Sequence, residues 1–259
     1  ITLGRNCIQG RLPEAGNRDS ETPLHLDLSE NALTGSLGDA LTNINFSVLE
    51  LSQNNLADLV PALRVSTFLG LESNQFSEME ALPDVNDGQL VLRLARNRFS
   101  FDDLLPNLSF LSCPTCSQEQ YSPQDTLTVE AQRIVREGDP LTYVLPYDAD
   151  VSDNQYEWYR NNTKLPDQQD RSLDLEGFDE QQEGSYSCRI TNPRMPGLSL
   201  LVRGLQIELK AKQIQQITVA SINQKTFGDE AFALQASSDS GLPLEYSKVS
   251  GPVTLSDNL

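Results

Sequence analysis

The sequence predicts a mainly β protein: a short stack of repeated coils, then a β-sandwich, then a second β-sandwich module that is truncated. Three observations carry this prediction. An apolar-x-apolar-x-x-Asn-x-apolar frame recurs five times between Ile1 and Phe99. From Thr126 onward it gives way to short alternating runs separated by turn residues, the pattern of an antiparallel sandwich. From residue 211 strand-like runs again alternate with Gly-containing turns. A chain of 259 residues has room for roughly two domains at ~150 residues each.

The repeat comes first because a period of this length determines the whole architecture. Its copies are "ITLGRNCI" (1–8), "HLDLSENAL" (25–33), "LELSQNNL" (49–56), "LGLESNQF" (69–76) and "LRLARNRF" (92–99). The asparagines Asn6, Asn31, Asn54, Asn74 and Asn97 follow one another at steps of 25, 23, 20 and 23 residues. Alternation places Leu26 and Leu28, Leu49 and Leu51, Leu69 and Leu71, and Leu92 and Leu94 inward, each pair stacking on the next. An Asn amide carries both donors and acceptors, so it can satisfy backbone groups at every turn. One coil cannot bury its apolar face alone, and stacked coils share a core.

These residues resemble the leucine-rich repeat, whose unit is a short strand, an Asn-held turn and a variable return segment. The resemblance covers residues 1–124, with "LLPNLSFLSCPTCSQEQYSPQ" (104–124) as the cap over the last coil. It implies a short solenoid whose concave face is formed by the residues between and beside the inward leucines. Those facing outward are His25, Asp27, Val48, Glu50, Phe68, Glu72, Val91, Arg93 and Arg96. They form a short apolar row beside a mixed acidic patch, with Arg93 and Arg96 at the far end. The resemblance implies a protein or peptide ligand first and a glycan second, with Phe68 and the arginines as anchors.

Residues 125–210 carry the second pattern. "YEWYRNNTKLP" supplies a central Trp158, and "EGSYSC" supplies Tyr186 two residues before Cys188. This looks like an immunoglobulin-like domain, in which these would be the core tryptophan, the corner tyrosine and the second sheet-bridging cysteine. The first bridging cysteine would fall at Leu145, so Cys188 is expected to be a reduced core thiol. Such a domain forgoes the ~2–4 kcal/mol that a bridge contributes. "DADVSDN" (148–154) lacks the Gly and distal Glu of a calcium loop and reads as a solvated acidic loop.

Residues 211–259 contain "KTFGD" (225–229), "SGLP" (240–243) and "SGP" (250–252). This run resembles a β-sandwich repeat of large secreted or surface proteins of the Bacteroidetes group. About half of such a module precedes Leu259, and a truncated segment is expected at both chain ends.

Composition bounds the function. A net charge of −18 and an isoelectric point near 4.3 argue against nucleic acid and anionic membrane surfaces, which are bound by clustered Lys and Arg. No apolar run approaches the ~20 residues of a membrane span, so no direct membrane insertion is expected. The single His25 has no Ser or Cys placed beside it by sequence, and no phosphate loop or metal motif is present. The expectation is therefore no enzymatic activity, no catalytic residue, no metal and no cofactor. "CPTC" (113–116) is read as a local disulfide or as two idle thiols. Asn45, Asn107 and Asn161 lie in Asn-x-Ser/Thr triplets, which also suit a eukaryotic receptor. The reading that results is an extracellular or outer-surface bacterial recognition or adhesion segment, binding through the concave face. The alternatives are a passive stalk, or the targeting arm of an enzyme whose catalytic domain lies elsewhere in the parent chain.

Overall fold

The computed structural model describes residues 1–12, 22–85, 89–111, 118–210 and 215–256. Cys113 and Cys116, and with them the CPTC motif, lie outside the described residues. The chain divides into two compact units, Ile1–Lys210 and Ala211–Leu259. Both are mainly β.

The first unit starts with coils that contribute strands to two parallel sheets, the inner coils one to each. The elements are β1 (Gln9–Gly10), β2 (Leu24–Asp27), β3 (Ala32–Gly35), β4 (Asn45–Glu50), β5 (Asn55–Val60), β6 (Arg64–Gly70), β7 (Gln75–Met79) and β8 (Val91–Arg93). The even-numbered strands pair in the order β2-β4-β6-β8 and the odd-numbered ones in the order β1-β3-β5-β7. Every pairing is parallel, because each coil travels in the same direction as the one before. The core lies between the two sheets. Leu49, Leu51, Leu69, Leu71, Leu92 and Leu94 are fully buried there, with Leu56, Phe76 and Phe99 two residues beyond each asparagine. The rings of Phe76 and Phe99 stack with their centroids 6.4 Å apart.

The first copy departs from the alternation. Ile1 and Leu3 are 63% and 43% exposed, because they sit on the outermost coil and have a neighbour on one side only. That coil is held by the isolated bridge from Thr2 to Asp27.

The asparagines form a continuous ladder. Asn54 Oδ1 accepts from Leu33 N–H at 3.0 Å, and its Nδ2 donates to the carbonyls of Leu28 and Leu51. Asn74 and Asn97 repeat this one and two coils on. Each amide therefore ties its own turn to the coil before it. The residue preceding each asparagine is left-handed: Arg5, Glu30, Gln53, Ser73 and Arg96 have φ between 53° and 62°. None of the five is glycine, so the ladder holds a backbone conformation that L-residues disfavour. Gln124 adds a sixth rung, accepting from Phe99 N–H and donating to the carbonyls of Leu94 and Tyr121.

The stack closes on the short helices α1 (Phe101–Leu104) and α2 (Leu108–Leu111), followed by a turn at Gln118–Gln120. Residues 120–125 then run beside the last coil, with Leu94 N–H donating to Gln120 O and Arg96 N–H to Pro123 O.

The sandwich follows. Its strands are β9 (Leu127–Val135), β10 (Leu141–Val144), β11 (Gln155–Arg160), β12 (Thr163–Lys164), β13 (Ser172–Leu175), β14 (Gly184–Thr191) and β15 (Ser199–Leu209). One sheet has the order β12-β11-β14-β15-β9, and the other pairs β10 with β13. Strand β9 joins β15 in parallel with a register shift at Gly204 (φ 104°), where a Cβ would collide with the carbonyl of Val129. The core is an immunoglobulin-like β arrangement. Trp158 is directly opposite Cys188 in the β11–β14 register and meets Tyr143 edge-on. Its indole N–H donates to Asp170 O, and the Tyr186 hydroxyl donates back to Gln182 O at 2.6 Å. Leu145, where a first cysteine would sit, is buried at 1%.

Cys188 is a free thiol with no exposure, and burial pushes its pKa up to about 12. Cys7 is free and exposed. In a Cys113→Ser/Cys116→Ser background, an aromatic disulfide reagent should titrate Cys7 in the native chain and Cys188 only after denaturation. Native-state labelling of Cys188 would contradict its burial, since the thiolate is the attacking species.

The acidic loop after β10 departs from its expected solvation. Asp150 and Asp153 are exposed, but Asp148 is 1% exposed and left-handed at φ 56°. Its Oδ1 accepts from Asp102 N–H at 2.9 Å, at the start of α1. The loop is thus a joint between sandwich and coil stack. Tyr121 Oη to Pro196 O and Ser122 Oγ to Gly197 O complete it on the other side.

The second unit contains one described strand pair, β16 (Ile217–Val219) with β17 (Ala236–Ser238), antiparallel. The expected strand at "LEYSKVSGP" (244–252) is irregular. None of its described residues is buried, and Phe227 and Val249 are almost entirely exposed. Lys225 lies over the ring of Phe232.

Candidate functional site

The outward face of the β2-β4-β6-β8 sheet gathers every candidate residue read from the sequence. Strand register alone produces two rows. His25 pairs with Val48, Val48 with Phe68 and Phe68 with Val91. Two residues along, Asp27 pairs with Glu50, Glu50 with Gly70 and Gly70 with Arg93. Because side chains alternate, these rows share one face and the buried leucines take the other. Glu72 and Arg96 follow at the coil turns.

The charged members are oriented differently from one another. Asp27 Oδ1 accepts from the backbone N–H and the hydroxyl of Ser29, and Glu50 Oε1 accepts from Ser52 N–H. These local donors fix the two carboxylates at the strand ends. Gly70 contributes no side chain to the charged row, and the Glu50 carboxylate fills the space where a Cβ would sit. Any side chain at this position must displace Glu50.

The two arginines are not bare anchors, and neither is Phe68. The Arg93 guanidinium lies 5.8 Å from the centroid of the half-buried Phe68 ring, so the aromatic anchor is partly roofed by a cation. Arg96 approaches Glu72 at 3.7 Å in an exposed pair of little energetic weight. Arg93 has no carboxylate partner among the described residues.

At the β8 end this face runs into a cleft of about 630 Å³, between Val91, Arg93, Ala95, Glu72 and Arg96 on one side and Glu119, Gln120, Ser122 and Pro123 on the other. The second wall has no signature in the sequence; it is brought there by residues 120–125, which run parallel to 94–97 beside the last coil. A smaller cavity of about 340 Å³ lies at the joint, bordered by Asp102, Asp150, Asp153 and Arg194.

Among the described residues no group of three or more His, Cys, Asp or Glu side chains is placed to hold a metal ion. No described helix is long and apolar enough to cross a membrane. His25 is exposed on β2, at the edge of the apolar row.

No family model matches the chain, and no curated protein does. Among the solved structures that share a partial likeness are three immunoglobulin-type or titin structures. The N-terminal four immunoglobulin domains of Dscam1 isoform 8.4 match at 16% identity and a TM-score of 0.26, over 33% of this chain and 21% of that one. Titin kinase with its flanking domains matches at 16% identity and 0.26, over 32% and 16%. The M1 domain of titin matches at 19% identity and 0.24, over 31% and 90%. The immunoglobulin-like assignment rests on the Trp158, Cys188 and Tyr186 geometry. The chain spans only 21% and 16% of the first two proteins' lengths.

Proposed function

We propose that this chain is a non-enzymatic recognition or adhesion segment of a secreted or surface-anchored bacterial protein. Its coils are leucine-rich repeats, and it binds a protein or peptide through the outward face of β2-β4-β6-β8. One observation supports this above the rest. Two rows of unlike character, apolar Val48–Phe68–Val91 with His25 at its edge, and charged Asp27–Glu50–Arg93 interrupted by Gly70, lie in register on one accessible face beside a cleft. An apolar strip flanked by oriented charge is the make-up of a protein-binding surface. The regular Asn frame supports the repeat assignment, and "KTFGD", "SGLP" and "SGP" support a Bacteroidetes-type surface module for residues 211–259. An extracellular or outer-surface location goes with that module.

The spacer reading has its own support in the joint, where Asp148 and Tyr121 fix the sandwich to the coils. A firm joint suits a stalk. The two readings separate on the face itself. Used as bait against host or microbial-community surface extracts, the full chain should retain a partner that Phe68→Ala weakens by about tenfold or more, a hot-spot loss of at least ~1.4 kcal/mol. Equal capture by wild type, Phe68→Ala and Arg93→Glu would leave the spacer reading in place.

A further inference from the structure

The sandwich protects three of the four outer edges of its two sheets. At one end of the larger sheet, β12 is two residues long and carries Lys164. At the other end β9 carries Glu130 and Arg133, and its Thr128 and Gln132 carbonyls accept from the Tyr147 hydroxyl and the Arg133 guanidinium. In the smaller sheet Gln168 covers β13. Its amide donates to Asp174 O at 2.7 Å and accepts from Asp174 N–H at 3.0 Å. Short, charged or covered edges do not recruit another strand.

The fourth edge, β10, is open. Leu145 N–H donates to Arg171 O, so the odd-numbered residues of β10 exchange their hydrogen bonds with β13. Thr142 and Val144 therefore direct their N–H and C=O groups away from the sheet, where these groups have no hydrogen-bond partner among the described residues. Thr142 is exposed and Val144 is 50% exposed, and neither carries a charge. On the core side the Arg133 guanidinium lies 5.4 Å from the centroid of the Tyr143 ring, so the surface on offer is backbone.

The sequence of this edge says what fits it. Pro140–Pro146 reads PLTYVLP, a palindrome about Tyr143 except that Thr142 answers to Val144, and both of these are β-branched. Turned about a two-fold axis at Tyr143, a second copy sets its Val144 opposite Thr142 and its Thr142 opposite Val144. Both pairs then exchange their N–H and C=O bonds in full. Beyond them Pro140 meets Pro146, and since neither has an N–H the ladder stops without an unmatched donor.

We propose that two copies of this chain associate through antiparallel β10–β10 pairing about Tyr143, which joins their smaller sheets into one. The interface is isologous, with the same patch on both copies. Each copy carries a net charge of −18, so the association strengthens as salt screens the repulsion.

Cysteine cross-linking of the full chain, in a Cys7→Ser/Cys113→Ser/Cys116→Ser background, tests the register. Opposed residues of a hydrogen-bonded pair have Cα atoms about 5.5 Å apart, within disulfide reach. The diagonal Thr142–Thr142 and Val144–Val144 pairs lie at about 7–8 Å, beyond it. A Thr142→Cys chain mixed with a Val144→Cys chain and mildly oxidised should give the mixed dimer in about tenfold or greater excess over either self-dimer. Products in random proportion, or no cross-link, would overturn the proposal. In sedimentation the unmodified chain should self-associate more strongly at about 500 mM salt than at about 50 mM, and Val144→Lys should abolish the effect. Self-association that Val144→Lys leaves intact would also overturn it. So would a monomer at both salt concentrations, which leaves the edge to a strand of another protein. Circular dichroism of each variant checks that the fold is kept.

Discussion

Replacing Asn97 with alanine is expected to destabilise the first unit by about 3–5 kcal/mol, whereas Asn6→Ala should cost about 0.5 kcal/mol or less. Both residues occupy the same position in the repeat, and only their place in the stack differs. Asn97 is fully buried. Its Oδ1 accepts from Phe76 N–H, and its Nδ2 donates to the carbonyls of Leu71 and Leu94. Alanine strands these backbone groups in the core, at about 1–3 kcal/mol for each group left unpaired. Asn6 is exposed and donates to Gly4 O, where water can take over. The loss should therefore rise along the series Asn6, Asn31, Asn54, Asn97. Denaturant midpoints of the four alanine variants measure it directly. A flat series would show that the amides do not hold the coils together.

The joint between coils and sandwich should make the chain less stable at pH 7 than at pH 5, and Asp148→Asn should remove part of that difference. Burial pushes Asp103 up to about 6, with the nearby Asp148 adding repulsion. Burial also raises Asp148 above the usual carboxylate range, with Asp102 adding repulsion; the backbone N–H groups of Asp102 and Phe101 and the Ser100 hydroxyl oppose the rise. Asp102 is raised in turn, by burial and by Asp150, against the hydrogen bonds of the Ala149 and Asp148 backbone and a smaller effect of Arg171. The sign follows from proton linkage. A carboxyl whose pKa is higher folded than unfolded binds protons more tightly in the native state, so its contribution is fully present below about 4 and is lost as pH rises through about 6. For Asp103 the rise amounts to stability on the order of 3 kcal/mol forgone at pH 7.

Asp148→Asn isolates the effect. Asparagine keeps an oxygen for Asp102 N–H and tolerates the left-handed backbone that Asp148 adopts. It also removes the charge from a site where Oδ2 has no hydrogen-bond partner. The variant should be more stable than wild type at pH 7, by a margin that shrinks as the pH falls and wild-type Asp148 takes up its proton. Calorimetric melting of both proteins across this range decides the matter. A variant less stable than wild type at pH 7 would mean that the charge on Asp148 holds the joint.

The sequence by itself determined whatever depends on a period. An Asn every 20–25 residues and leucines at alternate positions set the coils, the inward core and the residues of the outward face. Alternation has only two sides, so burying Leu69 and Leu92 sends Phe68, Gly70, Val91 and Arg93 out. The Trp158, Tyr186 and Cys188 spacing likewise reflects one sandwich core, since those residues meet through local strand pairing.

Only the tertiary structure decided what depends on segments distant in sequence. The second wall of the cleft, Glu119–Pro123, lies beside β8 because residues 120–125 run parallel to 94–97. Asp148 and Asp102 meet across 46 residues, and nothing in "DADVSDN" distinguishes the buried aspartate from its exposed neighbours. Arg93 pairing with a ring rather than with Glu50 is a competition among side-chain orientations that no spacing encodes. The physical reason is the same in each case. Burial, charge and partner are properties of a place in space, and periodicity fixes that place only between neighbours that repeat.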